Sequence, residues 1–353
     1  MKQLAFAAAA ALLTSTAIVH AGGIERTTQS VGMIFEEGSY AEFALSFVAP
    51  SVSGIDPTTA PTGDMANDYF GFSGGYKTDI GDKMALAVIF DQPFGADSEY
   101  SSGGFYDGVN ATLDANAVTL LASYNVSDRF VVYGGGVAQQ ISADAAVPIV
   151  AGYSVNLDGD TGFGYVAGAA FQIPEYALRV ALTYRSEIST DHVTTEAFGG
   201  PPLPAGSTNI TTPQSVNLEF QTGINPKTLI FGSVRWVEWS QFSIAPPNYP
   251  LNPLVSYDDD RIAYSLGVGR KLSDTLSAAV TLGYEKTLPG ATSILSPSSG
   301  YFSLGGGVTY SLGDAEITAG VKYLWLGDVV DTNGGVFENN SALAAGIKIS
   351  IAM

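Results

Sequence analysis

The sequence predicts an all-β fold, a 14-stranded antiparallel transmembrane β-barrel. Three observations carry that reading. Apolar residues alternate with small or polar ones in fourteen separate segments, which is the period of a strand with two unlike faces. The links between those segments alternate strictly between short and long. Charged residues make up 14% of the chain and aromatics 11%, whereas a soluble domain carries roughly 25% charged residues.

Taken in order, the first element is a leader. Lys2 supplies a positive start, Leu4 to Val19 is apolar and Ala-rich, and Val19-His20-Ala21 ends in a small-x-small cleavage pattern. Residues 1–21 therefore read as a signal peptide cut after Ala21, and losing Lys2 takes the formal net charge from −19 to −20. Such acidity argues against nucleic acid, which is held through Lys and Arg contacts to phosphate. There is no cysteine, so disulfides and thiolate metal sites are out. Residues 22–39 are polar and irregular, with Ile34 and Phe35 the adjacent large apolar pair. They form either an unstructured lead-in or a plug folded into a lumen.

From residue 40 to 353 the alternating segments fall near 40–49, 67–78, 83–92, 114–124, 129–140, 161–172, 176–187, 215–223, 228–242, 259–270, 275–286, 301–311, 315–327 and 341–353. The hairpin from Tyr301 to Asp328 shows the pattern best. Val308, Tyr310, Tyr323 and Trp325 belong to the greasy face, and Glu316 and Lys322 to the other. Strand nine is less tidy, because Trp236 and Trp239 share a face only through a bulge. The runs Gly134-Gly135-Gly136 and Gly305-Gly306-Gly307 lie inside strands and read as small residues making room in a crowded lumen. Short turns fall at Asp79–Asp82, Asn125–Asp128, Ile173–Glu175, Ile224–Lys227, Lys271–Asp274 and Leu312–Asp314. Long connections cover 50–66, 93–113, 141–160, 188–214, 243–258, 287–300 and 328–340. Both chain ends then sit on the short-turn side, the arrangement of a bacterial outer-membrane barrel. An even strand count lets the sheet close without an edge, as lipid requires.

Several stretches resemble the FadL/TodX family of outer-membrane channels for long-chain fatty acids and other hydrophobic compounds. Asp91-Gln92-Pro93-Phe94-Gly95 followed by Ser98-Glu99-Tyr100 is similar to the family's Pro-x-Gly…Thr-x-Tyr stretch. Tyr184-Arg185-Ser186, Pro213-Gln214-Ser215 and Trp236-Val237-Glu238-Trp239-Ser240-Gln241-Phe242 resemble three more, and Asp260-Arg261-Ile262-Ala263-Tyr264 resembles the start of the next strand. The resemblance implies a barrel of fourteen strands with a short N-terminal hatch in the lumen, here residues 22–39 with Ile34, Phe35 and Glu36 at its centre. It also implies capture among extracellular loops, passage to an inner pocket and release through a lateral gap near strand three. Two features depart from the family. No Asn-Pro-Ala hatch motif precedes strand one, and the chain ends Ile349-Ser350-Ile351-Ala352-Met353 without a terminal aromatic.

Candidate site residues follow. Loops 141–160 and 188–214 are apolar for solvated loops, so Val147, Ile149, Tyr153, Phe198 and Leu203 read as an entry groove, with loop self-packing as the alternative. Arg179, Arg185, Arg235 and Lys322 are lumen-facing cations, either paired with carboxylates such as Glu219, Glu238, Glu285 or Glu316 or meeting a substrate carboxylate. Arg185 and Arg235 are the two chosen for that second role. Pro93, Phe94 and Gly95 close strand three, where a missing amide donor weakens pairing and could open the wall. Asp158-Gly159-Asp160 and Asp258-Asp259-Asp260 follow no calcium-ligand pattern, and no metal or cofactor is expected. His192, the one histidine after the leader, has no serine and acid at triad-like spacing, so no enzyme is expected. The function expected is a passive channel of the bacterial outer membrane for hydrophobic molecules such as fatty acids or aromatic hydrocarbons. The alternative is a general or polar-solute porin. Outer-membrane lipids and lipopolysaccharide would surround it, and it would be a monomer.

Overall fold

The computed structural model describes residues 24–353 apart from Asn252 and Pro289, so the leader lies outside the described residues. Among them, fourteen antiparallel strands close on themselves. The first five are β1 (Tyr40–Ser51), β2 (Tyr69–Ile80), β3 (Met84–Asp91, resuming as Gly95–Glu99), β4 (Asn110–Asn125) and β5 (Phe130–Val147). Next come β6 (Tyr153–Ile173), β7 (Leu178–Arg185, resuming as Ile188–Phe198), β8 (Gly206–Thr212, resuming as Ser215–Asn225) and β9 (Thr228–Val237). The last are β10 (Arg261–Lys271), β11 (Leu276–Glu285), β12 (Tyr301–Leu312), β13 (Ala315–Leu326) and β14 (Ser341–Ala352). Each strand pairs with the next, and β14 pairs with β1 from Tyr40↔Ala352 to Ser51↔Ser341, which closes the ring. No described helix is long and apolar enough to cross a membrane.

Side-chain alternation gives the wall two chemistries. In β11, Val280, Leu282 and Tyr284 are exposed on the outside, while Ser277, Ala279 and Thr281 are buried inside. Val308, Tyr310, Tyr323 and Trp325 face outward and Lys322 faces the lumen, as the hairpin pattern predicts. Ring pairs mark the two membrane interfaces, where aromatics favour the headgroup level. Phe130–Phe171 lies beside the short turns, and Phe72–Phe90 and Phe302–Trp325 lie toward the long connections. Of the strand glycines, Gly305 makes lumen room, since a Cβ there would lie 2.7 Å from Thr281 Oγ1. Gly135 instead allows the β4 backbone close, because its Cβ would overlap Leu120 O.

The structure corrects three sequence expectations. Residues 141–160 and 188–214 are mostly strand, not loop: β5, β6, β7 and β8 run on past the wall, and β5 turns into β6 across residues 148–152. At 18 and 21 residues, β5 and β6 far exceed the roughly 9–11 needed to span a membrane. The excess forms a curved canopy whose inner face carries Ile141, Val147, Tyr153, Leu157 and Ile210. Strand nine ends at Val237 instead of 242 and needs no bulge: a 3-10 turn, Trp239–Gln241, swings Trp239 inward. Trp239 is 1% exposed and packs edge-on against Phe94 at 5.9 Å and Phe242 at 5.4 Å.

Candidate functional site

Under the canopy lies an apolar cavity. Leu113, Ala143, Leu157, Phe242, Leu254 and Leu295 supply most of its wall, and Ile24 forms its floor. Its free space is about 40 Å³, room for a few water-sized groups. A second cavity of about 100 Å³ continues from it, sharing Ile24, Ala96 and Leu295 and extending to Met65, Arg26 and Tyr69. A third, of about 20 Å³, shares Arg26 and Tyr69 and reaches Leu45 and Phe72 on the outer face. The three spaces are thus neighbours that share lining residues in turn, and the last of them reaches the outer face.

The third cavity sits where the wall is incomplete. The β2–β3 ladder runs from Ile80↔Met84 to Gly74↔Phe90 and then stops. It resumes in the same register only at Ala66↔Ser98, with Asn67 N donating to Asp97 O at 3.1 Å. Pro93 explains the break, since it has no amide to donate and bends the strand inward. Gln92 Oε1 accepts the Phe72 amide at 3.0 Å and caps one freed donor. The edge of β3 pairs with the N-terminal segment instead of with β2. Arg26 N donates to Pro93 O at 2.8 Å, and Gly95 N donates to Ile24 O at 2.7 Å. Between the second and third cavities the Arg26 guanidinium lies over the Tyr69 ring at 4.2 Å and 3.9 Å from Asp114 Oδ1. A Cβ at Gly95 would overlap that guanidinium, so only glycine leaves Arg26 this place.

Residues 24–39 lie inside the barrel, held by the lumen cations. Arg235 forms a buried ion pair with Glu25 and donates to Asn217 Oδ1 at 2.6 Å. Arg185 donates to Gln29 O at 3.0 Å and Thr119 Oγ1 at 3.2 Å. Arg179 stacks over Phe35 at 4.4 Å and donates to Gln221 Oε1 at 3.2 Å. Ser30 donates to Glu219 at 2.8 Å, and Lys77 Nζ donates to Glu36 O at 2.7 Å and Gly38 O at 2.9 Å. Val31, Met33 and Ile34 are buried against the β3–β7 side of the wall. Lys322 is buried in the lumen away from this segment's ties.

The canopy residues fall elsewhere. Val147 and Tyr153 are buried, Ile149 packs against them, and Phe198 covers Tyr153 at 5.3 Å. Leu203 is half-buried, its amide on Glu196 O at 2.8 Å. Tyr153 donates to Glu196 Oε1 at 2.8 Å, and Asn248 Nδ2 donates to Oε2 at 2.7 Å. Burial, and then the Glu196 carboxylate, push the Tyr153 phenol well above its usual range. Burial pushes Tyr257, behind Trp239, up to about 12. None of these five side chains lines the apolar cavity. Its lining came instead from residues that sequence reasoning did not single out: Ile24, Leu113, Leu157, Leu254 and Leu295. Phe242 alone stood in a recognised motif.

In sequence, residues 23–346 match the family described as outer membrane protein transport protein (OMPP1/FadL/TodX). The chain belongs to that family. The match includes the lumen segment as well as the wall. Solved structures of similar fold include a Pseudomonas aeruginosa FadL homologue, 15% identical with 91% of each chain covered and a TM-score of 0.72. The P. putida toluene transporter TodX is 14% identical over 90% of this chain and 91% of its own, with a TM-score of 0.67. The Ralstonia pickettii toluene transporter TbuX is 17% identical over 90% of each, with a TM-score of 0.66. No curated protein matches the chain in sequence. As a member of the OMPP1/FadL/TodX family the chain is an outer-membrane transport protein, and among its described residues no cluster could hold a metal ion.

Proposed function

We propose that this protein is a passive channel that takes small hydrophobic molecules from outside the cell and releases them sideways through the gap between β2 and β3. The observation that carries the reading is the succession of three neighbouring spaces, from the apolar cavity to Leu45 and Phe72 on the lipid face, with Arg26 over Tyr69 between the last two. An apolar solute gains by leaving water for each of them, so no energy source is needed. Fatty acids and monoaromatic hydrocarbons both suit such a lining, and two of the similar structures are named as toluene transporters.

In this reading residues 22–39 act as the hatch, and Pro93, Phe94 and Gly95 form the lip of the lateral opening. Phe94 also anchors the lip to Trp239. Arg26 and Tyr69 are the gate, because they stand where the second and third cavities meet. Val147, Ile149, Tyr153, Phe198 and Leu203 stiffen the canopy over the entry. Arg185 and Arg235 hold the hatch, and a substrate carboxylate would reach them only in exchange for Gln29 O or Glu25. Because the barrel closes within one chain, a monomer surrounded by outer-membrane lipid suffices.

The test is transfer of toluene and of a long-chain fatty acid into liposomes by a Phe72→Cys/Gln92→Cys variant. Oxidation should stop most of the transfer and reduction restore it. Undiminished transfer by the oxidised protein would rule out the lateral route. Swelling of the same liposomes in small sugars would indicate an open porin instead; a lumen occupied by the hatch should give none.

A further inference from the structure

Residues 24–27 lie along the free edge of β3 like a short strand: Glu25 bridges Phe94, and Arg26 N donates to Pro93 O at 2.8 Å. In extended chain, neighbouring side chains take opposite sides. Glu25 turns into the lumen to meet Arg235, so Arg26 turns the other way, into the gap between β2 and β3. There its guanidinium rests on Gly95 and over the Tyr69 ring, and faces Asp114 on the outer side of the wall.

That guanidinium is poorly partnered. Its Nε is buried and has no hydrogen-bond partner among the described residues. Asp114 Oδ1 comes only to 3.9 Å from Nη1, too far for a hydrogen bond, and the Asp114 side chain is 68% exposed. Water screens such a pair and leaves it weak. The other cations that hold the lumen segment are better served. Arg235 bonds Glu25 and Asn217, Arg185 bonds Gln29 O and Thr119, and Arg179 bonds Gln221. Leaving a buried donor unbonded is costly, and more so on a charged group. An oxyanion that reached Nε would relieve that cost.

Its place decides which oxyanion. Arg26 lines both the second and the third space, and it alone is a cation among the described residues that line the three. Elsewhere on the route an anion meets only its own sign: Asp144 at the apolar cavity, Glu25 and Asp97 at the second space. On the lipid side Leu45 and Phe72 lie side by side across the β1–β2 ladder, three residues from Tyr69 towards the short turns. A chain laid on them points to the middle of the membrane, while a head group at Arg26 stays near the Phe72–Phe90 aromatic level. Ser46, Ser73 and Gln92 line the same space, so the head is not set against hydrocarbon alone. A single-chain amphiphile lies in a leaflet in that way, charge at the interface and tail inside.

We propose that Arg26 is a specificity-determining residue, a carboxylate site at the gate that passes anionic apolar solutes by exchanging Asp114 and Tyr69 for the solute's head group. The inference rests on the channel reading above and adds how one class of solute is recognised. The guanidinium is a planar fork suited to the two oxygens of a carboxylate. Binding one draws it off Tyr69 and opens the way into the third space. Toluene has no such hold on it, so for neutral solutes Arg26 is only an obstacle. One residue thus sorts the two classes in opposite directions.

The test compares dodecanoate, its methyl ester and toluene, each as transfer into liposomes by the whole protein above the protein-free rate. Arg26→Met keeps the apolar stem and removes the charge. It should slow dodecanoate roughly 10- to 150-fold and speed the ester and toluene. Arg26→Lys keeps the charge without the fork and should restore part of the dodecanoate rate. Asp114→Asn removes the competing carboxylate and should speed dodecanoate while the ester stays as it was. Heat-modifiable gel migration checks that each variant is folded. Equal slowing of dodecanoate and its ester in Arg26→Met would overturn the carboxylate site and leave Arg26 a structural prop. Dodecanoate passing Arg26→Met at the parent rate would overturn it too, while toluene transfer by the parent would still uphold the channel. If the parent carries none of the three, the channel reading itself fails and the carboxylate site falls with it.

Discussion

Removing the Arg235 side chain, as in Arg235→Met, should free one half of the lumen segment and leave the other in place. The upper half, residues 24–30, is held by polar ties: the Arg235–Glu25 pair, Asn217 Nδ2 on Thr28 O at 2.8 Å, Arg185 on Gln29 O, and the Arg26 amide on Pro93 O. Both members of the pair are about 4% exposed, so little water screens it. Breaking a buried pair by removing one partner costs about 3–5 kcal/mol, because the other charge stays desolvated. If that cost falls on docking of the upper half, its undocked population rises roughly 100- to 4,000-fold. The lower half is held differently. Val31, Met33 and Ile34 are all but fully buried, and at about 1.5–3 kcal/mol each they contribute up to roughly 5–9 kcal/mol that the substitution does not touch. Hydrogen exchange at single amides separates the two halves. Arg26 N, bound to Pro93 O, should exchange much faster in Arg235→Met, while Ile34 N, bound to Val31 O, should not change. Glu25→Leu/Arg235→Met, which removes both charges, should recover most of the Arg26 protection. Equal acceleration at Arg26 and Ile34, or a double variant no better than the single one, would refute this division.

Three further outcomes are expected. Gly95→Ala should push the guanidinium off Tyr69, weaken docking of residues 24–26 by about 1–3 kcal/mol and raise toluene transfer; slower transfer would show that Arg26 is not the gate. Trp239→Ala should destabilise the protein by about 3–5 kcal/mol in equilibrium unfolding from lipid vesicles, since the ring is buried among Phe94, Phe242 and Tyr257; a loss below about 1 kcal/mol would contradict that packing. The Asp191 amide, and then that of Thr161, hold the Asp160 carboxyl below its usual range, so its tie to β7 stabilises the canopy at neutral pH and is lost as pH falls through that lowered value. The Asp191 amide chemical shift should therefore titrate below about pH 4 and lose that step in Asp160→Asn; an inflection above the usual aspartate range would reverse the sign.

The wall was legible in the sequence because lipid enforces it. Outward positions in lipid favour apolar residues, so period-two alternation survives in most of the strands, and Val280, Leu282 and Tyr284 are found where the pattern puts them. Outside the membrane that constraint ends. Inward Ala143 and Ala145 look no different from outward alanines, and the run Val147-Pro148-Ile149-Val150 reads as an apolar loop, which hid the canopy strands. The lumen cations were legible as inward-facing, but their partners were not. Arg235 meets Glu25 across 210 residues and Arg185 meets Gln29 across 156, and no local pattern signals either contact. Pro93 announced the break in β3 through its missing amide.

In the proposed channel, the split of the segment would let a side exit open without turning the barrel into a pore. Gln29 sits near the end of the upper half with φ of 53°, a left-handed conformation that costs a non-glycine residue about 1–2 kcal/mol and is released when the chain there rearranges. Every tie to the β3 lip lies before that point, at Ile24, Arg26 and Thr27, and the buried apolar anchor lies after it. A pivot at Gln29 would therefore move Arg26 off Tyr69 while Val31, Met33 and Ile34 stay seated. Below them Lys77 still holds Glu36 O and Gly38 O at the turn-side end. On the proposed reading, hydrophobic solutes would gain an exit to lipid and sugars would gain no path to the periplasm. Gln29→Gly should ease the pivot's native strain and slow toluene transfer without admitting sugars; liposomes that swell in sugar would show instead that the whole segment moves as one body.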